Sequence, residues 1–219
     1  MNIEAIIFDM DGVLIDGEDI FAECCTEILN GLGIPCAASD FLPFRGMGER
    51  AYIGGVMGKY GAEYSDAIKQ RAYEQYAEVI RDRLVYDGAA RETVLHYKGK
   101  YKLSVASGAD RFKVETNIRA IGLDVDDFDA VMAGDDILAN GEVVKNKPDP
   151  EIFMTAAQKC GAACHECVVV EDSVSGIRAA KAAGMKIIGL LGTCGEEQLK
   201  EAGADWIIEK LADMRDIID

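Results

Sequence analysis

The sequence is poor in long apolar runs, in proline and in positive charge. No uninterrupted apolar run approaches the ~20 residues that a membrane span requires. The first residues lack the basic segment and apolar stretch of a secretion signal. Only four prolines occur in 219 residues, and no repeat, low-complexity tract or long linker interrupts the chain. We therefore predict a cytoplasmic protein with no membrane partner.

The scarcity of positive charge limits the partners of the chain. Lys and Arg number 23 against 39 Asp and Glu, which gives a net charge of -16. Such a field repels nucleic acids and anionic lipids, so neither is predicted as a partner. A phosphorylated substrate is an anion too, and a site for one must therefore contain local cations or a metal ion.

The rest of the composition is that of an ordinary globular protein. Apolar residues make up 49% of the chain, enough for one or two compact domains with sizeable cores. Seven cysteines, an odd number without a secretion signal, are typical of reduced thiols rather than of a disulfide framework. We predict a monomer or a weak homodimer.

Short apolar runs rich in β-branched residues alternate with stretches of helical spacing. Runs of this kind are typical of strands buried on both faces, and their alternation with helices predicts an α/β fold with a doubly wound, mainly parallel sheet. The helical stretches include 111–121, 149–159 and 174–183. The six predicted strands lie at Ala5 to Phe8, Lys102 to Ala106, Ala130 to Met132, Val168 to Val170, Lys186 to Leu190 and Trp206 to Ile208.

One long segment departs from this alternation. Between Asp16 and about Asp87 no strand pattern occurs, and Ile20 to Leu32 and Asp66 to Arg83 have helical spacing. An insertion after the first strand emerges at the carboxyl edge of the sheet, where open α/β folds bind ligands, so it is suited to act as a lid. A second domain with a purely structural role is the alternative. We predict a core of residues 1–16 and 88–219 and an inserted α-helical cap of residues 17–87.

The strongest chemical signal lies where the first strand ends. There Phe8 is followed by Asp9, Met10, Asp11 and Gly12. Two carboxylates at a strand tip repel each other unless a cation lies between them, and Mg²⁺ prefers oxygen ligands of this kind. Two acids on a solvated turn are the alternative, which is common for an isolated Asp-x-Asp but less so at the tip of a buried strand.

A second buried strand also ends in two acids, Glu171 and Asp172, followed by Ser173. Asp172 or Ser173 alone is explained as a helix N-cap. If the two acid-tipped strands are neighbours, however, four carboxylates meet at one edge of the sheet. A metal ion accounts for that arrangement better than caps do.

Two further segments offer groups that bind an anion. Lys147 precedes Pro148, which forces its predecessor out of the helical region and fixes the lysine in a rigid loop. Ser107 and Gly108 follow the second predicted strand at the start of a helix, where a hydroxyl and backbone N–H groups can hold phosphate oxygens.

In this order and spacing, the four segments resemble the four motifs of the haloacid dehalogenase superfamily. The long matches, 8–16, 147–153 and 169–184, are most similar to its β-phosphoglucomutase-like phosphatase branch. The resemblance covers nearly the whole chain and implies a Rossmann-like core with a helical cap. It implies the following roles: Asp9 as nucleophile, Asp11 as general acid and base, Ser107, Gly108 and Lys147 as ligands of the phosphoryl group, and Asp9, Asp11, Glu171 and Asp172 as the magnesium site. In that site we expect Asp11 to bind through its backbone carbonyl, Asp172 to bind directly, and Glu171 to act through water or through the direct ligands.

The predicted function is that of a Mg²⁺-dependent phosphatase of small phosphorylated metabolites such as sugar or polyol phosphates. Asp9 attacks phosphorus to give an aspartyl phosphate. Asp11 protonates the leaving oxygen and later deprotonates the attacking water. Such chemistry depends mainly on positioning and on neutralising the charge of the transferred group.

The sequence leaves two alternative functions open and disfavours a third. A β-phosphoglucomutase-type phosphomutase uses the same nucleophile but passes the phosphoryl group to a sugar hydroxyl, and no motif here decides between sugar and water. A phospho-accepting signalling module also pairs acids, Mg²⁺, a hydroxyl and a lysine, although it does not need a helical lid of about seventy residues. A catalytically silent binding protein is disfavoured because every core residue is present.

The cap contributes one candidate residue and two departures from the family pattern. Arg45 lies between turn-forming residues, and its guanidinium can bind a second anionic or hydroxyl-rich part of the substrate; an arginine on a solvated helix end is the alternative. Gly17 stands where related proteins often have Thr or Ser. The sequence Tyr86-Asp87-Gly88 replaces a common Pro-Gly at the exit of the cap.

Overall fold

The computed structural model describes residues 2–45, 48–85 and 88–219. Within them, six strands form one sheet in the order β3-β2-β1-β4-β5-β6, and every neighbouring pair is parallel. All six strands predicted from the sequence are confirmed. They are β1 (Ala5–Phe8), β2 (Lys102–Ala106), β3 (Ala130–Met132), β4 (Cys167–Glu171), β5 (Lys186–Leu190) and β6 (Trp206–Ile208).

The direction in which strands are added to the sheet reverses between β1 and β4. The chain proceeds from β1 to β2 and β3 on one side, and then returns to place β4 on the other side of β1. In open α/β sheets, ligands bind outside the carboxyl ends of the strands at such a reversal of order. The register pairs Phe8 with Val170, so the residues that follow both strands leave the sheet side by side.

Alternation along the strands produces an apolar layer on each face of the sheet. In β1, Ile6 and Phe8 belong to one core cluster, whereas Ala5 and Ile7 belong to the other. This is the period of two that a strand imposes on its side chains. All four are fully buried, and burying an Ile or Phe side chain contributes about 1.5–3 kcal/mol. The sheet is therefore fixed firmly enough to hold side chains at its carboxyl edge.

Helices cover both faces of the sheet, as a doubly wound fold requires. The predicted helical stretches after β2, β3 and β4 are confirmed to within about two residues. None of the helices among the described residues has the length and apolar character needed to traverse a bilayer. The helices that flank the strands are α4 (Ala89–Tyr97), α5 (Arg111–Ala120), α6 (Glu151–Cys160), α7 (Val174–Ala182), α8 (Glu196–Ala202) and α9 (Arg215–Ile218).

The segment between β1 and α4 is helical in its described part, as its sequence predicts. We call α1, α2 and α3 the insertion helices: α1 (Glu18–Gly31), α2 (Glu49–Lys59) and α3 (Asp66–Arg83), with a 3₁₀ helix at Ala38–Phe44. They pack around Phe21, whose ring lies 5.6 Å from that of Tyr73 and 5.8 Å from that of Tyr52. The predicted boundary at residue 87 and the departure at Tyr86-Asp87 lie outside the described residues.

The insertion helices contact the core mainly through α3 and α5. The Tyr76 hydroxyl donates a buried hydrogen bond of 2.7 Å to the Asn117 side-chain oxygen. The Tyr73 and Phe112 rings stack with centroids 5.7 Å apart. The insertion therefore rests directly on the helix that follows β2.

Packing explains the glycine at position 17. A β-carbon there would lie 2.2 Å from the Tyr76 hydroxyl oxygen, well inside van der Waals contact. The tyrosine hydroxyl thus occupies the space that a Thr or Ser side chain would need. Gly17 and Tyr76 are therefore a matched pair at the start of the insertion.

Candidate active site

Three buried carboxylates meet at the carboxyl ends of β1 and β4. Asp9 directly follows β1, Glu171 ends β4 and Asp172 follows it. One oxygen from each lies within 4.8 Å of the others. Glycine makes this approach possible at position 12, where φ is +84° and a β-carbon would lie 2.0 Å from an Asp172 carboxylate oxygen.

Burial and mutual repulsion perturb these acids. Burial, followed by repulsion from Glu171, raises the pKa of Asp9 well above its ordinary value. The same two causes raise the pKa of Asp172 to about 7. Carboxylates that are this difficult to ionise together need a cation nearby.

Lys147 supplies part of that positive charge. Its ammonium group donates to an Asp9 carboxylate oxygen and, at 2.7 Å, to Glu171 Oε2. Burial disfavours the lysine charge, but attraction to Asp9 and Glu171 outweighs it and raises the pKa of Lys147. One lysine among three acids still leaves an excess of negative charge.

The cluster fits a hard divalent cation such as Mg²⁺. It offers only oxygen donors, it is buried, and its negative charge exceeds the local positive charge. The two Glu171 oxygens are already engaged: Oε2 accepts from Lys147, and Oε1 accepts from the backbone N–H groups of Asp172 and Ser173 and from the Ser173 hydroxyl. Asp9 and Asp172 are therefore the better placed of the three to bind an ion directly.

The fourth predicted carboxylate, that of Asp11, lies apart from this cluster. Its oxygens lie 3.4 and 3.5 Å from the Lys113 ammonium, and the Asn117 amide donates to one of them at 3.5 Å. A side chain held away from the acid cluster is free to exchange a proton with a substrate oxygen. Its backbone carbonyl remains the group through which Asp11 was predicted to bind Mg²⁺.

Lys113 connects Asp11 with the insertion. It is almost fully buried on α5, and its ammonium also lies 3.6 Å from a carboxylate oxygen of Glu49, the first residue of α2. It sits 4.9 Å from the centre of the Phe21 ring. Burial opposes its charge, yet attraction to Asp11 and Glu49 raises the pKa of Lys113 well above its ordinary value.

The predicted phosphate ligands after β2 lie at the same edge of the sheet. The buried Ser107 hydroxyl accepts a hydrogen bond of 3.1 Å from the Ala109 N–H group, and this turn leads into α5. Ser107, Gly108 and Lys147 all line one cavity together with Asp9 and Asp11. The structure therefore brings the four predicted segments to one place.

Arg45 lines the same cavity from the insertion, where it is already paired. It forms an ion pair with Asp19, and its Nε lies 3.2 Å from a Glu18 carboxylate oxygen without the alignment of a hydrogen bond. Burial, followed by repulsion from Asp11, raises the pKa of Glu18. The guanidinium thus lines the cavity while it is already paired with two acids.

The cavity has a volume of about 740 Å³ and lies between the carboxyl edge of the sheet and the insertion helices. We call one side the catalytic floor, formed by Asp9, Lys147 and Asp172 at the cavity surface and by the fully buried Glu171, which contacts Lys147. We call the charged residues that line the cavity from the insertion, Glu18, Arg45 and Glu49, together with Lys113 of α5, the distal wall.

Comparisons with known proteins identify the family of the chain. Residues 3–184 match the family model of the haloacid dehalogenase-like hydrolases. The chain belongs to this family. The resemblance inferred from the four motifs is thereby confirmed.

Relatives of the family extend over nearly the whole chain. Protein SUPPRESSOR OF QUENCHING 1, chloroplastic, from Arabidopsis thaliana is 36% identical over 97% of this chain, which spans only 20% of that protein. A phosphorylated carbohydrates phosphatase from Thermotoga maritima is 31% identical over 92% of each sequence. The crystal structure of CbbY from Rhodobacter sphaeroides in complex with phosphate superposes with a TM-score of 0.80 at 26% identity, covering 97% of this chain and 96% of that one.

Sequence reasoning missed the residues that surround Asp11 in this haloacid dehalogenase-like hydrolase. Lys113 and Asn117 are polar residues on the buried side of α5, four positions apart. That spacing places both on one helix face, and two polar groups on a face that packs inward are a signal visible in the sequence. Glu49, by contrast, lies on α2, and no local pattern predicts its contact with Lys113.

Proposed function

We propose that this phosphoric monoester hydrolase cleaves phosphate esters of small sugars or polyols with the help of Mg²⁺ and a covalent aspartyl phosphate. One observation carries the proposal: three buried acids and Lys147 meet where β1 and β4 end, beneath a cavity that also exposes Asp11. The name of the Thermotoga phosphatase supports phosphorylated carbohydrates as the substrate class, and the CbbY complex supports phosphate as a ligand of such a site.

Asp9 is proposed as the nucleophile. A carboxylate oxygen of Asp9 forms a bond to phosphorus while the bond from phosphorus to the ester oxygen breaks. The leaving oxygen takes a proton from the Asp11 carboxyl group. In the second half, Asp11 accepts a proton from water as the water oxygen attacks phosphorus, and Asp9 is released as a carboxylate.

Lys113 and Asn117 hold Asp11 for this role. The ammonium and the amide both lie within 3.5 Å of its carboxylate oxygens, so the side chain is restrained from two directions. Restraint of a catalytic group in its reactive position lowers the entropic part of the barrier.

The transferred phosphoryl group is held by groups around the catalytic floor. Lys147 offers an ammonium donor, and Ser107 and Gly108 offer a hydroxyl and backbone N–H groups at the end of β2. These donors neutralise the equatorial oxygens, which is the main requirement of phosphoryl transfer.

Asp9 and Asp172, with the Asp11 backbone carbonyl, are proposed to hold Mg²⁺, and Glu171 to support them through its hydrogen bonds. A bound Mg²⁺ supplies positive charge that lets Asp9 and a phosphate approach each other. Residues 17–87 are proposed as a cap that closes the cavity from above and excludes bulk water.

The chain is proposed to work in a reducing compartment such as the cytoplasm. All seven cysteines are free thiols, and five of them are buried. Free thiols persist where cellular reductants keep disulfides from forming.

The experiment is a screen of phosphorylated metabolites for release of inorganic phosphate, with and without Mg²⁺. We expect Mg²⁺-dependent release from one or more sugar or polyol monophosphates. Incubation with β-glucose 1-phosphate tests the phosphomutase alternative, because glucose 6-phosphate as the main product, with little free phosphate, contradicts a phosphatase. An aspartyl phosphate that persists, with no ester hydrolysed, favours the signalling module.

A further inference from the structure

The distal wall contains positive charge, but that charge is already neutralised. Among the described residues, the cavity is lined by three cations, Arg45, Lys113 and Lys147, and by twice as many acids. Arg45 is paired with Asp19 and lies beside Glu18.

Lys113, the second cation of the wall, is held between Asp11 and Glu49. It is nearly fully buried, so its charge is not screened by solvent. A second phosphate placed here would have to displace one of these carboxylates or lie next to it. Either event costs free energy, because like charges at a few ångströms repel strongly in a partly buried site.

The wall also contains donors that suit a neutral oxygen. The Tyr52 side chain lines the cavity, is 4% exposed, and its hydroxyl has no hydrogen-bond partner among the described residues. Arg45 Nε is likewise buried without a hydrogen bond. Buried polar atoms are nearly always satisfied, and hydroxyl groups of a substrate can accept from these donors without adding a negative charge.

We propose that the distal wall binds an uncharged, hydroxyl-bearing group and rejects a second phosphate, so that the enzyme acts on monophosphates and discriminates against bisphosphates. This inference rests on the proposed function and narrows its substrate class. It also argues against the phosphomutase alternative. Transfer of the phosphoryl group from Asp9 to a hydroxyl of a sugar monophosphate produces a bisphosphate, which a mutase must then hold in two orientations.

The test uses matched pairs of substrates. We measure kcat/KM for phosphate release from fructose 1-phosphate and fructose 1,6-bisphosphate, and from glucose 6-phosphate and glucose 1,6-bisphosphate, with saturating Mg²⁺. We expect each bisphosphate to be poorer than its monophosphate by about tenfold or more, which corresponds to one close charge repulsion. Bisphosphates used as well as monophosphates overturn this inference and leave the proposed function intact. If no ester is hydrolysed, the proposed function fails and this inference fails with it.

Two variants distinguish the effect of the distal wall on substrate preference from the effect of the overall charge of the protein. Glu18→Gln removes a carboxylate beside Arg45, so we expect the preference for monophosphates to fall several-fold. Glu201→Gln removes the same charge from an exposed position near the end of α8, and we expect no change in preference. Equal effects in the two variants contradict a role for the wall.

A third variant tests the hydroxyl contact. Tyr52→Phe removes the unpartnered hydroxyl and retains the ring that packs against Phe21. We expect KM for sugar monophosphates to rise about threefold to tenfold, the value of one hydrogen bond, and KM for p-nitrophenyl phosphate to stay unchanged. A parallel rise for both substrates indicates a general packing defect and contradicts the contact.

Discussion

The catalytic floor and the distal wall line the same cavity but differ in how their charges are arranged. The floor gathers three buried acids around one lysine. In the wall, Arg45 is paired with Glu18 and Asp19, and Lys113 is paired with Asp11 and Glu49. Buried acids in excess over one lysine indicate a site that is completed by a metal ion and a phosphate, whereas cations already paired with acids indicate a surface that fits an uncharged group.

The largest expected effect is loss of the nucleophile on the floor. Asp9→Asn retains the size of the side chain but cannot form the aspartyl phosphate, so we expect kcat to fall by about 10⁴-fold or more. Circular dichroism and thermal unfolding check that the fold is intact. Retained activity in this variant refutes the assignment of Asp9.

A second variant disturbs the geometry of the floor without removing any acid. In Gly12→Ala the new methyl group collides with the Asp172 carboxylate, so we expect kcat/KM to fall by about 10²-fold and the rise in Tm on adding Mg²⁺ to disappear. Gly33→Ala is the matched control, because Gly33 has almost the same φ, +83°, with no atom near the new methyl group. The control should lose about 1 kcal/mol of stability and keep normal activity. Equal losses of activity in the two variants contradict the role of the close approach.

The third prediction breaks a pair in the distal wall. Lys113→Met leaves Glu49 buried without its cation, so we expect a loss of about 3 kcal/mol in the free energy of unfolding and of about tenfold or more in kcat. The double variant Lys113→Met/Glu49→Gln should recover much of the stability, because the unpaired charge is gone. Its kcat should remain low because Asp11 still lacks the contact with Lys113. Recovery of both quantities together argues that Lys113 has only a structural role.

The smallest expected effect is the change in thermal stability with pH when no metal ion is bound. Burial and Glu171 raise the pKa of Asp172 to about 7 in the folded state, above its value of about 4 in an unfolded chain. Between these values the folded state binds more protons than the unfolded state, so stability falls as pH rises. We expect Tm in EDTA to drop by about 5 °C between pH 5 and 8.

Two controls test whether Asp172 causes that pH dependence of Tm. Saturating Mg²⁺ should reduce it, because the ion stabilises the ionised carboxylates at every pH in this range. Asp172→Asn should flatten it in EDTA. An unchanged slope in the variant shows that other groups are responsible.

The same contrast explains how much of the molecule could be predicted from sequence. All six strands follow from short apolar runs, and the acids of the floor lie directly after two of them. Position along a strand then fixes position in space, because parallel strands end at one edge. The positions of Asp9 and Asp172 in the site could therefore be predicted from the sequence.

The distal wall could not be predicted from the sequence in this way. Glu49 and Lys113 are 64 positions apart on helices of the insertion and the core, and only their packing brings them together. Arg45 was a candidate ligand of an anionic or hydroxyl-rich part of the substrate, with a solvated helix end as the alternative, and the structure places it in the lining of the cavity. Its pairing with Glu18 and Asp19 depends on how α1 lies against the 3₁₀ helix, which periodicity does not specify.

The central claim is covalent catalysis by Asp9, and one measurement tests it most directly. Asp11→Asn retains the nucleophile and the backbone carbonyl but removes the base for the second step, so the phosphorylated enzyme should accumulate with an activated ester such as p-nitrophenyl phosphate. Acid quenching, digestion and mass spectrometry then locate the phosphoryl group. We predict the added mass of one phosphoryl group on Asp9, in the presence of Mg²⁺ only. Phosphorylation at another residue, or turnover with no phosphorylated enzyme at any time, would contradict this account.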